Sequence, residues 1–183
     1  MKIAIIGGIG SGKSEAAKII ESFGNKVFDA DKIYAEIMED KSYIATIDKA
    51  FPGAVIDGKI DRKILGSIVF NDKQMLEKLN LIAHPLVKDR IDVLSNMFET
   101  IYVEVPVFVG SILQDYFDKV ILITSDTKYR IQRIIKRSGY DKEYAKKIIL
   151  SQPSDDTLQK YADIIVINNK DLIHLRQQLA KLI

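Results

Sequence analysis

Cysteine is absent from the 183-residue sequence, which excludes disulfide bonds, thiolate metal sites and a cysteine nucleophile. Any metal site must therefore be built from oxygen ligands. The absence also agrees with a reducing compartment, and we expect a cytoplasmic protein.

Long apolar runs are missing too, since no window approaches the roughly 18 uninterrupted apolar residues that a membrane helix needs. The apolar stretch after Met1 is too short for a signal peptide and leads into glycines. The net charge of +2 gives no reason to expect a polyanionic partner. We expect a soluble protein that binds neither membrane nor nucleic acid, and the sequence leaves its oligomeric state open.

A phosphate-binding motif is present near the start of the chain. The segment from Gly7 to Ser14 reads Gly-Gly-Ile-Gly-Ser-Gly-Lys-Ser and matches G-x-x-x-x-G-K-[ST] between an apolar run and an amphipathic segment. Such a loop turns backbone N–H groups toward phosphates, Lys13 reaches the β and γ phosphates, and the Ser14 hydroxyl binds Mg²⁺. A Gly-rich turn that binds nothing would not need Lys13 and Ser14 at these positions. The predicted nucleotide contacts here are Gly8, Ile9, Gly10, Ser11, Gly12, Lys13, Ser14 and Glu15.

Five short runs rich in β-branched residues predict an α/β protein with a five-stranded parallel sheet flanked by helices. They show little alternation, as expected of strands covered on both faces, and helical patterns separate them. With the phosphate loop, this pattern predicts a P-loop NTPase fold. The runs cover residues 2–6, 26–28, 101–105, 119–124 and 164–167.

The length favours a single domain over residues 1–183, with a core of residues 1–40 and 99–183. About seventy residues separate the second and third runs, far more than one crossover helix needs. We therefore predict a helical insertion over about 41–98, with turns at Asp57-Gly58 and before Pro85.

The segment from about 126 to 152 predicts a helical hairpin, with helices over 127–138 and 141–152 separated by Gly139-Tyr140. Arg130, Arg133 and Arg137 fall on one side of its first helix, opposite Ile131, Ile134 and Ile135. A solvated basic face is the alternative, but beside a phosphate loop we interpret the hairpin as a lid whose arginines neutralise the transferred phosphoryl group.

Two carboxylates, Asp29 and Asp31, follow the second run at the carboxyl edge of the predicted sheet, where ligands of open α/β sheets bind. They are candidates for catalysis, and capping of the next helix is a compatible role.

In chain order, these features resemble the dephospho-coenzyme A kinase family over nearly the full length. The family's fold and activity are expectations that this resemblance adds. The segments that carry it are the phosphate loop, Asp29-Ala30-Asp31, Asp57 to Arg62, His84-Pro85, Val105-Pro106, the arginine helix, Gln152, and Ala162-Asp163 through Asn168-Asn169.

The resemblance implies transfer of the γ-phosphate of ATP, with Mg²⁺, to the ribose 3′-hydroxyl of dephospho-coenzyme A. It makes Asp31 the base or orienting group for that hydroxyl, supported by Asp29, while Lys13 serves in catalysis. It assigns Arg133 to the ATP phosphates with Arg137 as its neighbour, whereas Arg130 has a weaker claim.

For the acceptor, the resemblance implies that the insertion holds the pantetheine and nucleotide portions. Arg62, His84 and Pro106 are candidate contacts, although a histidine before proline most simply ends a helix. Asn168 and Asn169 fall where the family places the adenine of ATP, with a polar turn as the alternative.

The sequence departs from the family where a glutamate usually follows the third strand, because Gly110 stands there. We expect Glu104 to serve the metal instead. Glu15 and Lys170 also differ from the usual residues, and ATP and GTP are not distinguished. Two other functions stay open: a kinase of another nucleoside-like acceptor, and a diverged nucleotide-binding switch without catalysis.

Overall fold

The structure is a computed structural model and describes residues 1–70, 72–111 and 113–183. The chain divides into two compact units, one of Met1–Asp29 with Ser95–Ile183 and the other of Ala30–Leu94. The second unit begins earlier than the predicted insertion, because it also includes residues 30–40. The single-domain assignment stays a prediction.

The first unit contains a parallel sheet in the order β2-β5-β1-β6-β7, which confirms the five predicted strands. In chain order, the elements of the described residues are β1 (Lys2–Ile6), α1 (Lys13–Ser22), β2 (Lys26–Asp29), α2 (Ala30–Ile37), α3 (Lys41–Ala50), β3 (Val55–Ile56), β4 (Lys59–Ile60), α4 (Arg62–Phe70), α5 (Lys73–Met97), β5 (Ile101–Glu104), β6 (Lys119–Thr124), α6 (Thr127–Ser138), α7 (Lys142–Leu150), α8 (Asp155–Gln159), β7 (Ile164–Ile167) and α9 (Leu172–Leu179).

Strand β1 lies at the centre of this sheet, and its last four residues are buried. It is covered on one face by α1 and α9, whose apolar residues join those of the strands in one cluster. Because neighbouring strands are parallel, their carboxyl ends meet at one edge. Ile5 is paired with Glu104 there, and Glu104 with Asp29.

The predicted helical hairpin is confirmed as α6 and α7. Helix α6 ends at Gly139, whose φ of 69° places it in the left-handed conformation that favours glycine at a helix end. Helix α7 begins after Asp141, whose carboxylate accepts a hydrogen bond from the Tyr144 backbone N–H at 2.8 Å. The apolar side of α6 is narrower than predicted, since Ile131 and Ile134 are buried but Ile135 is exposed.

The second unit consists of α2 to α4, most of α5 and a two-stranded antiparallel sheet of β3 and β4. Its apolar core includes Tyr43, Ile47 and Phe51. The predicted turn at Asp57-Gly58 is confirmed as the loop of this hairpin. Both residues have positive φ, 49° and 72°, as a tight two-residue hairpin loop requires.

The predicted turn before Pro85 is wrong, and His84 does not end a helix. Helix α5 is 25 residues long, from Lys73 to Met97, and it continues through Pro85 without a break. A proline inside a helix removes one hydrogen bond and costs about 3 kcal/mol. Ala83, Val87 and Ile91 are buried at helical spacing on both sides of the proline, and this burial offsets the cost.

Among the described residues, none of the helices combines the length and apolar character that crossing a bilayer would require.

We expect Ile5→Ala to lower the free energy of unfolding by about 2–5 kcal/mol, because it leaves a cavity beneath the central strand. Ile5 is completely buried. Urea denaturation measures the change, and Ile165→Ala on the exposed face of β7 is the matched control, with an expected loss below about 1 kcal/mol. Equal losses from both substitutions would contradict the assignment of β1 to the core.

Candidate active site

The motif segment forms a loop between β1 and the first residue of α1, so the strand, loop and helix of the predicted phosphate site are confirmed. Gly10 and Gly12 have φ values of 76° and 97°, which side chains rarely adopt. Helix α1 starts at Lys13, and the N–H groups at the start of a helix have no acceptor within the helix, which gives this end an affinity for anions.

The phosphate loop packs closely against the residues next to it, which explains why glycine is needed at Gly7 and Gly12. A Cβ on Gly7 would lie 2.3 Å from the Ile123 carbonyl oxygen. A Cβ on Gly12 would lie 2.1 Å from Asn168 Nδ2. Larger residues would therefore push the loop away from the sheet and the segment after β7.

Three consecutive carbonyl oxygens of the loop accept hydrogen bonds from side chains of α6 and of the segment after β7. Arg130 Nε donates to the Ile9 oxygen at 2.9 Å. Arg133 Nη1 donates to the oxygens of Gly10 and Ser11, both at 3.1 Å. Asn168 Nδ2 donates to the Ser11 oxygen at 2.8 Å. Donors from the protein thus satisfy the loop carbonyls.

Arg130 is buried, with 4% of its surface exposed, so the alternative of a solvated basic face is wrong for this residue. Its Nη1 lies 3.2 Å from Asp155 Oδ1, and the other Asp155 oxygen accepts a hydrogen bond from Thr124. Burial lowers the pKa of Arg130, and the charge of Asp155 opposes this shift. Hydrogen bonds from Nε to the Ile9 oxygen and from Nη1 to Asp155 compensate for the burial of these two nitrogens.

Arg133 is partly buried, and burial lowers the pKa of its guanidinium. Besides the loop, its Nη2 donates to the Asn168 carbonyl at 2.7 Å. Arg137 is exposed one turn further along α6. The assignment of these two arginines to ATP phosphates stays a prediction.

The Asn169 side chain forms hydrogen bonds within the protein, to a residue that follows β6. Its Oδ1 accepts a hydrogen bond from the Asp126 N–H at 2.8 Å, and its Nδ2 donates to Asp126 Oδ1 at 2.8 Å. These bonds tie the segment after β7 to the segment after β6. The predicted adenine contact of Asn169 stays a prediction.

Oxygen ligands meet beside the loop. Ser14 Oγ donates to Glu104 Oε1 at 2.5 Å, and Lys13 Nζ lies 3.8 Å from the same oxygen. Asp29 is paired with Glu104 in the sheet. One hydroxyl and two carboxylates are hard oxygen donors of the kind that Mg²⁺ prefers, so this donor set fits the ion. Glu15 instead directs its carboxylate to Lys18 at 3.8 Å.

Pro106 lines a cavity of about 200 Å³ next to Gly7 and Gly8. Further along the same segment, Gly110 has a φ of 77°. A glutamate there would have to adopt the left-handed conformation, which is strained for a residue with a side chain. The turn as it stands therefore favours glycine at this position over a glutamate.

Two residues of this site had no role in the sequence interpretation. Gln152 Oε1 accepts a hydrogen bond from the Ile9 N–H at 2.7 Å, and Asp155 holds Arg130. The motif order included Gln152, but no spacing linked it to the loop, and nothing in the sequence indicated Asp155.

In the second unit, Asp31 and Arg62 line a common cavity of about 380 Å³. Tyr34, Met38 and Leu65 contribute to its wall, so an apolar surface lies beside one acidic and one basic group. His84 does not line this cavity. It is partly buried in α5, and burial lowers its pKa.

Solved structures show what this fold is similar to. The protein TT1252 from Thermus thermophilus has a TM-score of 0.85 at 28% identity, covering 100% of this chain and 95% of that one. Dephospho-CoA kinase from Campylobacter jejuni has a TM-score of 0.70 at 29% identity, covering 100% and 96%. A shikimate kinase from Acinetobacter baumannii, at 14% identity and a TM-score of 0.58, shares the fold, and together these neighbours confirm a P-loop kinase fold.

Sequence comparison is more specific. The dephospho-CoA kinase of Fusobacterium nucleatum is 40% identical over 176 residues, covering 94% of this chain and 91% of that protein. The dephospho-CoA kinase of Dehalococcoides mccartyi is 34% identical, covering 98% and 96%. The family model described as dephospho-CoA kinase matches residues 1–174. The chain therefore belongs to the dephospho-CoA kinase family.

Proposed function

We propose that this protein transfers the γ-phosphoryl group of ATP to the ribose 3′-hydroxyl of dephospho-coenzyme A. The observation that carries the proposal is the phosphate loop with Lys13, Ser14 and Glu104 gathered at its helical end, in a chain that matches the family over residues 1–174. A cytoplasmic location stays a prediction.

The donor nucleotide binds at the loop and the start of α1. Amides of the loop and of the start of α1 surround the β and γ phosphates, except the Ile9 N–H, which donates to Gln152, and the Ser11 N–H, which donates to the Gly8 oxygen. The predicted contact of the Ile9 amide with the nucleotide is therefore not supported, and Lys13 adds a positive charge. Lys13 lies 3.8 Å from Glu104, so it is held close to the same end of the loop. Because phosphoryl transfer has a loose transition state, positioning and charge neutralisation supply most of the catalysis.

Ser14 and Glu104 would hold Mg²⁺, with Asp29 near enough along the sheet edge to bind one of its waters. Held by these residues, the ion would supply positive charge against the transferred phosphoryl group. The short hydrogen bond between Ser14 and Glu104 supports this assignment, because it brings two oxygen ligands together beside Lys13.

The acceptor binds in the second unit, at the cavity that Asp31 and Arg62 line. Asp31 orients the 3′-hydroxyl and accepts its proton, and Arg62 pairs with acceptor phosphate. The apolar wall suits the uncharged pantetheine chain. His84 has less support as a contact, since it lies outside the lining of this cavity.

Arginines of α6 complete the donor site. Arg137 is exposed and available to phosphate, while Arg133 must exchange its bonds to loop carbonyls for bonds to ATP if it is to contact the nucleotide. A guanidinium that changes partners in this way acts only when nucleotide is present.

Incubation of the protein with MgATP and dephospho-coenzyme A, followed by mass spectrometry of both products, tests the function directly. The proposal expects one added phosphoryl group on the acceptor for each ADP. Formation of ADP without a phosphorylated acceptor would contradict it, and so would preferential phosphorylation of a different nucleoside.

We expect Asp31→Asn to reduce turnover by about 10²-fold or more, because the amide cannot accept the hydroxyl proton. ATP affinity, measured by calorimetry, should stay nearly unchanged, since the residue acts on the acceptor. Asp48→Asn, an exposed carboxylate of the same unit, is the control and should keep full turnover. Unchanged turnover in Asp31→Asn would contradict the proposal that Asp31 accepts the proton of the acceptor hydroxyl.

We expect Glu104→Gln to reduce turnover by about tenfold or more and to raise the Mg²⁺ concentration needed for half-maximal activity. The amide is nearly the same size as the carboxylate but carries no charge for the cation. Titration of activity with Mg²⁺ measures the effect, with the exposed Glu99→Gln as control. A normal Mg²⁺ dependence would exclude Glu104 from the metal site.

A further inference from the structure

One residue of the phosphate loop, Ile9, has both of its backbone polar groups bound by the helical hairpin. The Ile9 N–H donates to Gln152 Oε1 at 2.7 Å, and the Ile9 carbonyl accepts from Arg130 Nε at 2.9 Å. Arg130 lies in α6, and Gln152 follows the end of α7. Both polar groups of this residue are therefore fixed by the hairpin.

The Ile9 side chain is attached to the same hairpin. It packs against the small apolar cluster of Ile131, Ile134 and Ala145, which joins α6 to α7. The contact is apolar and the two hydrogen bonds are directional, so together they define both the position and the rotation of this residue.

Arg130 is itself held in place. It donates to Asp155, which accepts from Thr124 at the end of β6, so a chain of polar contacts runs from the sheet to the loop. Within the described part of the chain, its buried Nη2 has no hydrogen-bond partner, and a Cβ on Gly8 would lie 2.3 Å from this atom.

We propose that Arg130 and Gln152 are positioning residues for the phosphate loop, which clamp the backbone of Ile9 so that the following amides face the phosphates of the nucleotide. Arg130 is not a catalytic residue, because two of its nitrogens are engaged and the third is buried against Gly8. Neither residue touches the nucleotide. This inference rests on the proposed function only for the identity of the phosphate donor.

The clamp explains how a loop rich in glycine keeps one conformation. Gly10 and Gly12 make the segment intrinsically flexible, and a flexible loop loses conformational entropy when it orders around phosphates. A loop already fixed at Ile9 loses less, and the nucleotide binds more tightly as a result.

Calorimetric titration with MgADP tests the clamp without any reference to the acceptor. We expect Arg130→Gln and Gln152→Leu each to weaken MgADP binding by about tenfold or more, since each removes one hydrogen bond to the backbone of Ile9. Lys136→Gln, an exposed cation of the same helix, is the matched control and should bind as the unmodified protein does.

Steady-state kinetics separate positioning from a general loss of structure. In both variants the KM for ATP should rise by about tenfold, while the KM for dephospho-coenzyme A stays within about twofold. Arg130→Lys should recover part of the affinity, because an ammonium group keeps the charge but cannot match the geometry of the guanidinium.

Thermal unfolding identifies variants that fail to fold. If Arg130→Gln does not fold because it leaves Asp155 without its partner, Gln152→Leu decides the matter, since that change removes no charge. Folded variants that bind MgADP within about twofold of Lys136→Gln would overturn the clamp. Weakened MgADP binding in the variants, with no acceptor phosphorylation by the unmodified protein, would retain the clamp and contradict the proposed function.

Discussion

The hydrogen bonds that side chains donate to the carbonyl oxygens of the phosphate loop are the interaction on which the site depends. A peptide has two polar ends, and a loop can present its amides to an anion only if its carbonyls are satisfied elsewhere. Arg130, Arg133 and Asn168 perform this task for three consecutive residues. The anion site is therefore built as much by groups behind the loop as by the loop itself.

Local patterns made most of the fold predictable. The five strands, the loop and both helices of the hairpin follow from apolar runs, glycines and caps that lie within a few residues of one another. The bonds from Ile9 to Arg130 and Gln152 join residues that are 121 and 143 positions apart. No spacing rule relates such positions, so helical periodicity placed Arg130 on one side of α6 with Arg133 and Arg137 but could not show that it bonds to Ile9 and Asp155.

In helix α5 a local pattern gave the wrong prediction, because packing of buried residues outweighs the tendency of Pro85 to end a helix. Proline usually ends a helix, and the sequence interpretation ended one at His84. The buried residues Ala83, Val87 and Ile91 continue the same apolar stripe across Pro85. Propensity acts on one residue at a time, whereas this stripe is stabilised by the whole core of the second unit. The family pattern also has a glutamate where this chain has Gly110. The left-handed conformation of Gly110 is a backbone property that the amino-acid composition does not reveal.

The left-handed conformation of Gly110 limits which residues can replace it. With Gly110 at a φ of 77°, a mutation that restored the family's carboxylate at this position would first strain the turn it occupies. A glutamate at this position would therefore require a second change, in the conformation of the turn itself.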